Sequence, residues 1–152
     1  MKNYKMFVES NSGIKVYRGI GSKINTTYGG VSDDGLGVFW TDNIIMAKWF
    51  AGMIEYDPDK EKYVSIKNSM GKVIESTIKF NNPYIINYDE EEDIDSFQIY
   101  MNEIKDSGGV EKYKKKLLNE GYDGIELIGN DTNYYNSGTY NIYIELKNNK
   151  QI

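Results

Sequence analysis

One stretch constrains the fold of this chain more than any other. It reads Gly35-Leu36-Gly37-Val38-Phe39-Trp40-Thr41-Asp42 and runs on to Phe50. Two glycines release into a short aromatic strand, a cluster of capping residues follows, and a helix then carries Trp49 and Phe50. A turn of this kind brings backbone close to a ligand and plants flat rings beside it. Upstream, Val16-Tyr17-Arg18-Gly19-Ile20-Gly21 repeats the construction, a strand that ends in glycines. The two stretches are expected to form two walls of one pocket.

The neighbouring segments fill out an α+β unit. Alternation predicts strands at 3–9 and 14–19, with Asn11-Ser12-Gly13 turning between them. Residues 20–34 are polar and glycine-rich and read as a loop. After the strand Gly37–Thr41, a helix is expected over about 43–54, with Thr41, Asp42 and Asn43 all able to cap it. Its Ile45, Trp49 and Met53 would share one face, with Met46 and Phe50 beside it. The charged residues 55–71 read as a surface loop, Lys72–Phe80 as a strand ended by Asn81-Asn82-Pro83, and Tyr84-Ile85-Ile86 as a short extended piece. The acidic run Asp89–Asp93 is expected to precede or begin a helix over about 92–105, since carboxylates favour a helix N-terminus. A further helix, about 110–119, would carry Tyr113, Leu117 and Leu118 inward. Lys112, Lys114, Lys115 and Lys116 would lie on its solvated side, and Gly121 would end it. Gly121-Tyr122-Asp123-Gly124-Ile125 reads as a tight turn entering a strand, and residues 140–147 as the last strand.

With 152 residues and only two prolines, one domain is the simplest organisation. A hydrophobic share of 39% and an aromatic share of 14% supply a core. No apolar run approaches the roughly 18 residues of a membrane span, and no signal-peptide layout opens the sequence, so a soluble protein is expected, non-secreted or delivered by another route. The absences narrow the chemistry further. There is no histidine and no cysteine, which removes Ser-His-Asp and Cys-His catalysis, Cys/His zinc sites and disulfides. Chemistry must come from carboxylates, hydroxyls, amides, lysines or the one arginine, Arg18, which stands at a strand end beside glycine. The net charge of −5 and pI near 4.8 argue against non-specific nucleic-acid binding, which relies on basic residues.

In this order and spacing, the chain resembles the ADP-ribosyltransferase superfamily, in its phage- and toxin-associated branch. Tyr17-Arg18-Gly19 looks like the arginine form of the first motif. Gly35–Asp42 is similar to the glycine-flanked aromatic strand of the poly(ADP-ribose) polymerase branch. Asn82-Pro83 and Gly121–Ile125 look like features of phage and toxin members. The resemblance implies a single domain of split mixed and antiparallel sheets around an NAD cleft, with NAD as donor and no metal. It further implies mono-ADP-ribosylation of a macromolecule, in the first place a bacterial protein, by a small effector in bacterial cytoplasm.

Carried over residue by residue, the resemblance puts Tyr17, Arg18, Gly19, Phe39, Trp40, Thr41 and Phe50 at the cofactor. Arg18 would hold the adenosine ribose or the diphosphate, and the Gly19 backbone would pair with the carboxamide. Phe39 and Phe50 would stack on nicotinamide, and Thr41 would supply the hydroxyl of the second motif. Breaking the nicotinamide–ribose bond builds positive charge on the ribose, which a nearby carboxylate would stabilise. Here the chain departs from the pattern: Ile142 stands where the polymerase-like branch has a glutamate before the tyrosine of the last strand. Asp131 is nominated in its place, with Glu126 and Glu145 as alternates that the sequence does not separate. Two other readings are an inactive binding module on the same fold, and an interaction inhibitor using the acidic surface Asp89–Asp95 against a basic partner.

Overall fold

The computed structural model describes residues 13–21, 36–131 and 139–146. The expected strand at 3–9, the loop 20–34 beyond Gly21, Gly35, and residues 132–138 of the polar stretch lie outside the described residues. Eleven elements follow one another: β1 (Ile14–Ile20), β2 (Gly37–Thr41), α1 (Ile44–Phe50), β3 (Ile54–Asp57), β4 (Lys62–Ser65), β5 (Lys72–Ile78), β6 (Pro83–Asn87), α2 (Ser96–Ser107), α3 (Val110–Asn119), β7 (Gly124–Asp131) and β8 (Thr139–Leu146). The class is α+β, as expected.

Six strands form one mixed sheet in the order β5-β1-β2-β8-β7-β6. Every neighbouring pair is antiparallel except β6 and β7, which run parallel. Parallel neighbours need a long crossover, and α2 and α3 supply it. The two stretches expected to face each other across a pocket are neighbours in this sheet: Tyr17 pairs with Thr41. They are ribs of one wall.

Alternation along the strands decides the core. Ile125 and Leu127 of β7, and Ile142 and Ile144 of β8, point one way. There they meet Tyr100 and Ile104 of α2, Tyr113 and Leu117 of α3, and Met46 of α1. The helices are cut to length by local chemistry. Asn43 caps α1, its Oδ1 accepting from Ile45 N at 2.9 Å and Met46 N at 3.1 Å. Asp95 caps α2 by accepting from Gln98 N at 3.0 Å, and Gly108 closes it in the left-handed region, φ 94°. Tyr84 of β6 and Tyr113 of α3 both donate to Glu103 Oε1 of α2, at 2.9 and 3.0 Å, which ties both helices to the sheet edge.

Four expectations are corrected. Residues 55–71 contain a hairpin, β3–β4, in which Tyr56 stands opposite Tyr63 with ring centroids 5.4 Å apart. Charges crowd its turn, where Asp57 Oδ1 accepts from Asp59 N and Lys60 N, and they hide the alternating tyrosines. The helix expected from about 92 starts only at Ser96, so the run Asp89–Asp93 precedes it and does not begin it: Asp89 accepts from Glu91 N and Glu92 N and bridges to Ile94, which spends its acceptor on its own turn. In α1 the buried residues are Met46 and Ala47, while Ile45 is exposed, because the helix lies flat against β1. Lys114 belongs with the buried stripe of α3 and not with its solvated side.

Candidate functional site

The sheet has two faces, and alternation splits the nominated residues between them. On the helix-covered face lie Gly19, Phe39 and Thr41, and by the same parity Tyr17. Gly19 has a steric reason for lacking a side chain: a Cβ there would sit 2.0 Å from the carbonyl oxygen of Ala47 in α1. A Cβ at Gly37 would likewise lie 2.0 Å from the Glu145 carbonyl on β8. Both glycines that read as ligand-approach points bring protein backbone against protein backbone. The Gly19 backbone runs in the β1–β5 ladder opposite Val73.

The aromatic rings on this side pack among themselves. Phe39 meets Tyr100 edge-on at 6.2 Å, and Phe50 meets Tyr140 at 6.3 Å and Trp49 at 5.6 Å. Thr41 is buried, donating its hydroxyl to the Asn141 carbonyl at 2.9 Å and accepting from Asn43 N at 3.2 Å. It fastens the end of β2 to β8 and to the start of α1.

On the opposite face the register builds a row. Trp40 pairs with Tyr143, and Tyr143 pairs with Glu126. One residue on from the Tyr17–Thr41 pair, Arg18 falls beside Trp40. The row therefore reads Arg18, Trp40, Tyr143, Glu126 across four strands, about 14 Å from end to end at the usual strand spacing. Glu145 enters it from the next step of β8: the Trp40 indole Nε1 donates to Glu145 Oε1 at 2.6 Å. The Arg18 guanidinium donates from Nη1 to the Phe39 carbonyl at 3.0 Å, which fixes its stem along β2. Beneath the row lies a small apolar cluster of Val16, Ile78 and Tyr143 with Trp40, Ile14 and Ile128.

Of the three nominated acids, Glu126 and Glu145 therefore share the face of Arg18. Asp131 does not join them. It closes β7 opposite Thr139, about 16 Å along the strand from Glu126. The two shared acids have different surroundings. Burial, and then the charge of Asp123, push the Glu126 carboxyl above its ordinary value of 4.5, whereas Glu145 accepts a hydrogen bond from the Trp40 indole. A raised carboxyl pKa opposes folding above the ordinary value, because the native state then holds a proton the unfolded chain would release. Glu126→Gln is thus expected to melt above the unsubstituted protein at pH 7. The gap should close as the pH falls toward 4.5. Melting curves across that range check it, and a gap that widens with acid refutes the assignment.

Two site residues were missed in the sequence, although the alternation Tyr140–Leu146 carried the signal. Asn141 and Tyr143 fall on the same face as Glu145. Asn141 is the joint between three elements. Its backbone N and its Nδ2 donate to the two carboxylate oxygens of Asp42, at 2.9 and 2.8 Å, and its Oδ1 accepts from Gly129 N at 3.0 Å. Burial, and then the charge of Asp42, push the Tyr143 phenol up to about 12, so it remains a hydrogen-bond donor at any physiological pH. Among the described residues no group of three or more acids is placed to hold a metal ion, and no helix is long and apolar enough to cross a membrane. No protein-family model, no curated protein and no solved structure matches the chain.

Proposed function

We propose that this protein is an NAD-dependent mono-ADP-ribosyltransferase with an ADP-ribosyltransferase-like fold, acting on a bacterial protein as a small cytoplasmic effector of phage or toxin type. One observation carries the reading: the Trp40 indole grips the Glu145 carboxylate on the same sheet face as the only arginine of the chain. A planar always-charged fork, a flat ring and an oriented carboxylate are the groups that an anionic dinucleotide and a cationic transition state require. Arg18 holds the diphosphate. Glu145 stands by the ribose as the bond from its anomeric carbon to the nicotinamide nitrogen breaks. The bonding pair leaves with nicotinamide, and the positive charge on the ribose meets the carboxylate. Glu126, whose carboxyl burial pushes above its ordinary value, takes the proton that the acceptor loses as its new bond to the anomeric carbon forms.

A second reading, a nucleotide-binding module without turnover, is favoured by a different observation. The rings that would sandwich nicotinamide, Phe39 and Phe50, are packed edge-on against Tyr100 and Tyr140. One experiment separates the two. Protein incubated with labelled NAD and bacterial lysate should transfer label to a lysate protein, and Arg18→Ala should cut that transfer at least tenfold, the scale of one charge-assisted phosphate contact. Labelling that survives the substitution removes Arg18 from the site. NAD binding with no nicotinamide release, in several lysates, selects the binding module.

A further inference from the structure

The two ends of the main sheet are guarded differently. At one end β5 carries Lys72 and Glu75, and Glu75 pairs with Lys15 at 3.6 Å. Charges of this kind protect an edge from stray strands. At the other end β6 reads Pro83-Tyr84-Ile85-Ile86-Asn87 and carries no charge. Its register shows which backbone groups are open. Tyr88 N donates inward to the Ile128 carbonyl at 2.9 Å. By period two, Ile86 and Tyr84 also turn toward β7, and Ile85 and Asn87 turn their N–H and C=O groups outward. Both residues are exposed, Ile85 by 50%, and among the described residues no strand lies beyond them. Proline blunts only the first position. The strand is also fixed at both ends: Asp123 accepts from Asn81 N and Asn82 N at 2.7 and 2.9 Å, and Asp89 bridges to Ile94.

Where β6 ends, a cavity of about 610 Å³ opens, lined by Tyr88, Asp93, Asp95 and Gln98 among others. That volume lies in the range of small-ligand sites. Tyr88 is 40% exposed and its hydroxyl donates to Asp93, so ring and carboxylate are set as one unit. Asp95 caps α2 and offsets the roughly half positive charge of that helix end. Asp93 is left in excess, with Asp89–Glu92 in the turn before it, and the cavity favours a cation. Parity places it relative to the strand. Tyr88 follows Ile86, which packs among the helices, whereas Ile85 stands opposite Glu126 on the other face of the sheet. A strand laid along β6 would send alternate side chains to these two sides. We infer that β6 takes up an extended segment of a protein partner by strand addition. One basic side chain of that segment enters the cavity at Asp93, and an apolar one lies against Ile85. A second copy of this chain is disfavoured, because the net charge is −5 and each edge ends in the acidic run Asp89–Asp93. This docking edge goes beyond the NAD reading and does not depend on it.

Titration and amide hydrogen exchange on the full chain, with a short capped peptide that alternates valine and arginine, test it. In the protein alone, the Ile85 and Asn87 amides should exchange fast and those of Ile86 and Tyr88 slowly. The peptide should bind, slow Ile85 and Asn87 while leaving β5 unchanged, and bind more weakly as salt rises. Two variants probe the two halves of the site. Asp93 has φ 53°, a left-handed conformation that asparagine tolerates, so Asp93→Asn should melt with the parent. It should bind the peptide about tenfold more weakly, the scale of one charge-assisted contact. Asn87→Pro removes one outward donor and no inward one, and should weaken binding about fivefold, the scale of one neutral hydrogen bond. The inference is overturned if the basic peptide does not bind, or binds either variant as tightly as the parent. It also falls if a peptide alternating valine and glutamate binds as well, or if the protected amides are those of Lys72–Ile78. Protection of Ile85 and Asn87 that rises with protein concentration alone gives the edge to a second copy and overturns the partner.

Discussion

Gly19→Ala is expected to cost about 3 kcal/mol of stability, the upper end for forcing atoms into a packed interior. The methyl group it adds would lie 2.0 Å from the Ala47 carbonyl oxygen, 2.9 Å from Ala51 N and 3.1 Å from the Ala47 carbonyl carbon. All three are backbone atoms of α1 or its cap, so no side chain can rotate aside. The helix must lift from β1, and with it Met46 and Ala47 leave the core. An opposing effect exists: alanine loses less chain entropy than glycine on folding, by up to about 1 kcal/mol where the backbone suits both. Steric repulsion against fixed backbone exceeds it. Against a typical domain stability of 5–15 kcal/mol, the loss would show as a clear fall in the urea midpoint at unchanged slope. A midpoint equal to or above that of the parent would mean that α1 does not rest on β1. Because the same helix start holds Thr41 and Asn43 in place, the variant should also lose whatever binding the Arg18–Trp40 row supports.

Much of this architecture was legible in the chain, and the failures have definable causes. Strands with clean alternation, Lys72–Ile78 and Thr139–Leu146, appeared where period two put them. The helices Ser96–Ser107 and Val110–Asn119 also appeared, near their expected ranges. Composition misled where charges outnumber the residues that matter: the β3–β4 hairpin is held by Tyr56 against Tyr63 amid acids and lysines. Reach in three dimensions misled elsewhere. Two glycine-ended strands suggested two walls, but a sequence does not print the pairing partner of a strand, and β1 and β2 pair with each other. For the candidate site, residue types nominated a small set, while face assignment needed the register. Only with Trp40 opposite Tyr143, and Tyr143 opposite Glu126, do two of the three acids separate from the third. The glycines show the limit most plainly. Gly19 and Gly37 read as places where backbone comes close to a ligand, but what comes close is an α1 carbonyl and a β8 carbonyl.

Asn130 gave no signal in the sequence, and its substitution is expected to be as damaging as any in the chain. It is fully buried, and its amide is saturated. Oδ1 accepts from Ser96 Oγ at 2.9 Å and from Phe97 N at 2.8 Å, while Nδ2 donates to the carbonyls of Leu127 at 3.1 Å and Tyr140 at 3.3 Å. One side chain therefore caps an orphan N–H in the first turn of α2 and closes the irregular step in β7 between Leu127 and Asn130. Asn130→Ala removes four partners at once. Each net bond is worth about 1 kcal/mol, and abandoned buried groups cost more than the bonds alone, so a loss of about 4 kcal/mol is expected in the urea midpoint. Asn130→Asp separates the two halves of the amide. It keeps the acceptor toward Ser96 and Phe97 but sets a second oxygen against two carbonyl oxygens, in a place where a charge is costly. The buried carboxyl would hold its proton above the ordinary aspartate value of about 3.9. Its destabilisation should therefore be greatest at neutral pH and shrink as the pH falls through the ordinary range, because the protonated acid can donate to one of the two carbonyls. A pH-independent deficit in Asn130→Asp, or an Asn130→Ala protein within about 1 kcal/mol of the parent, on the scale of a single bond, would show that α2 is held to β7 by packing alone.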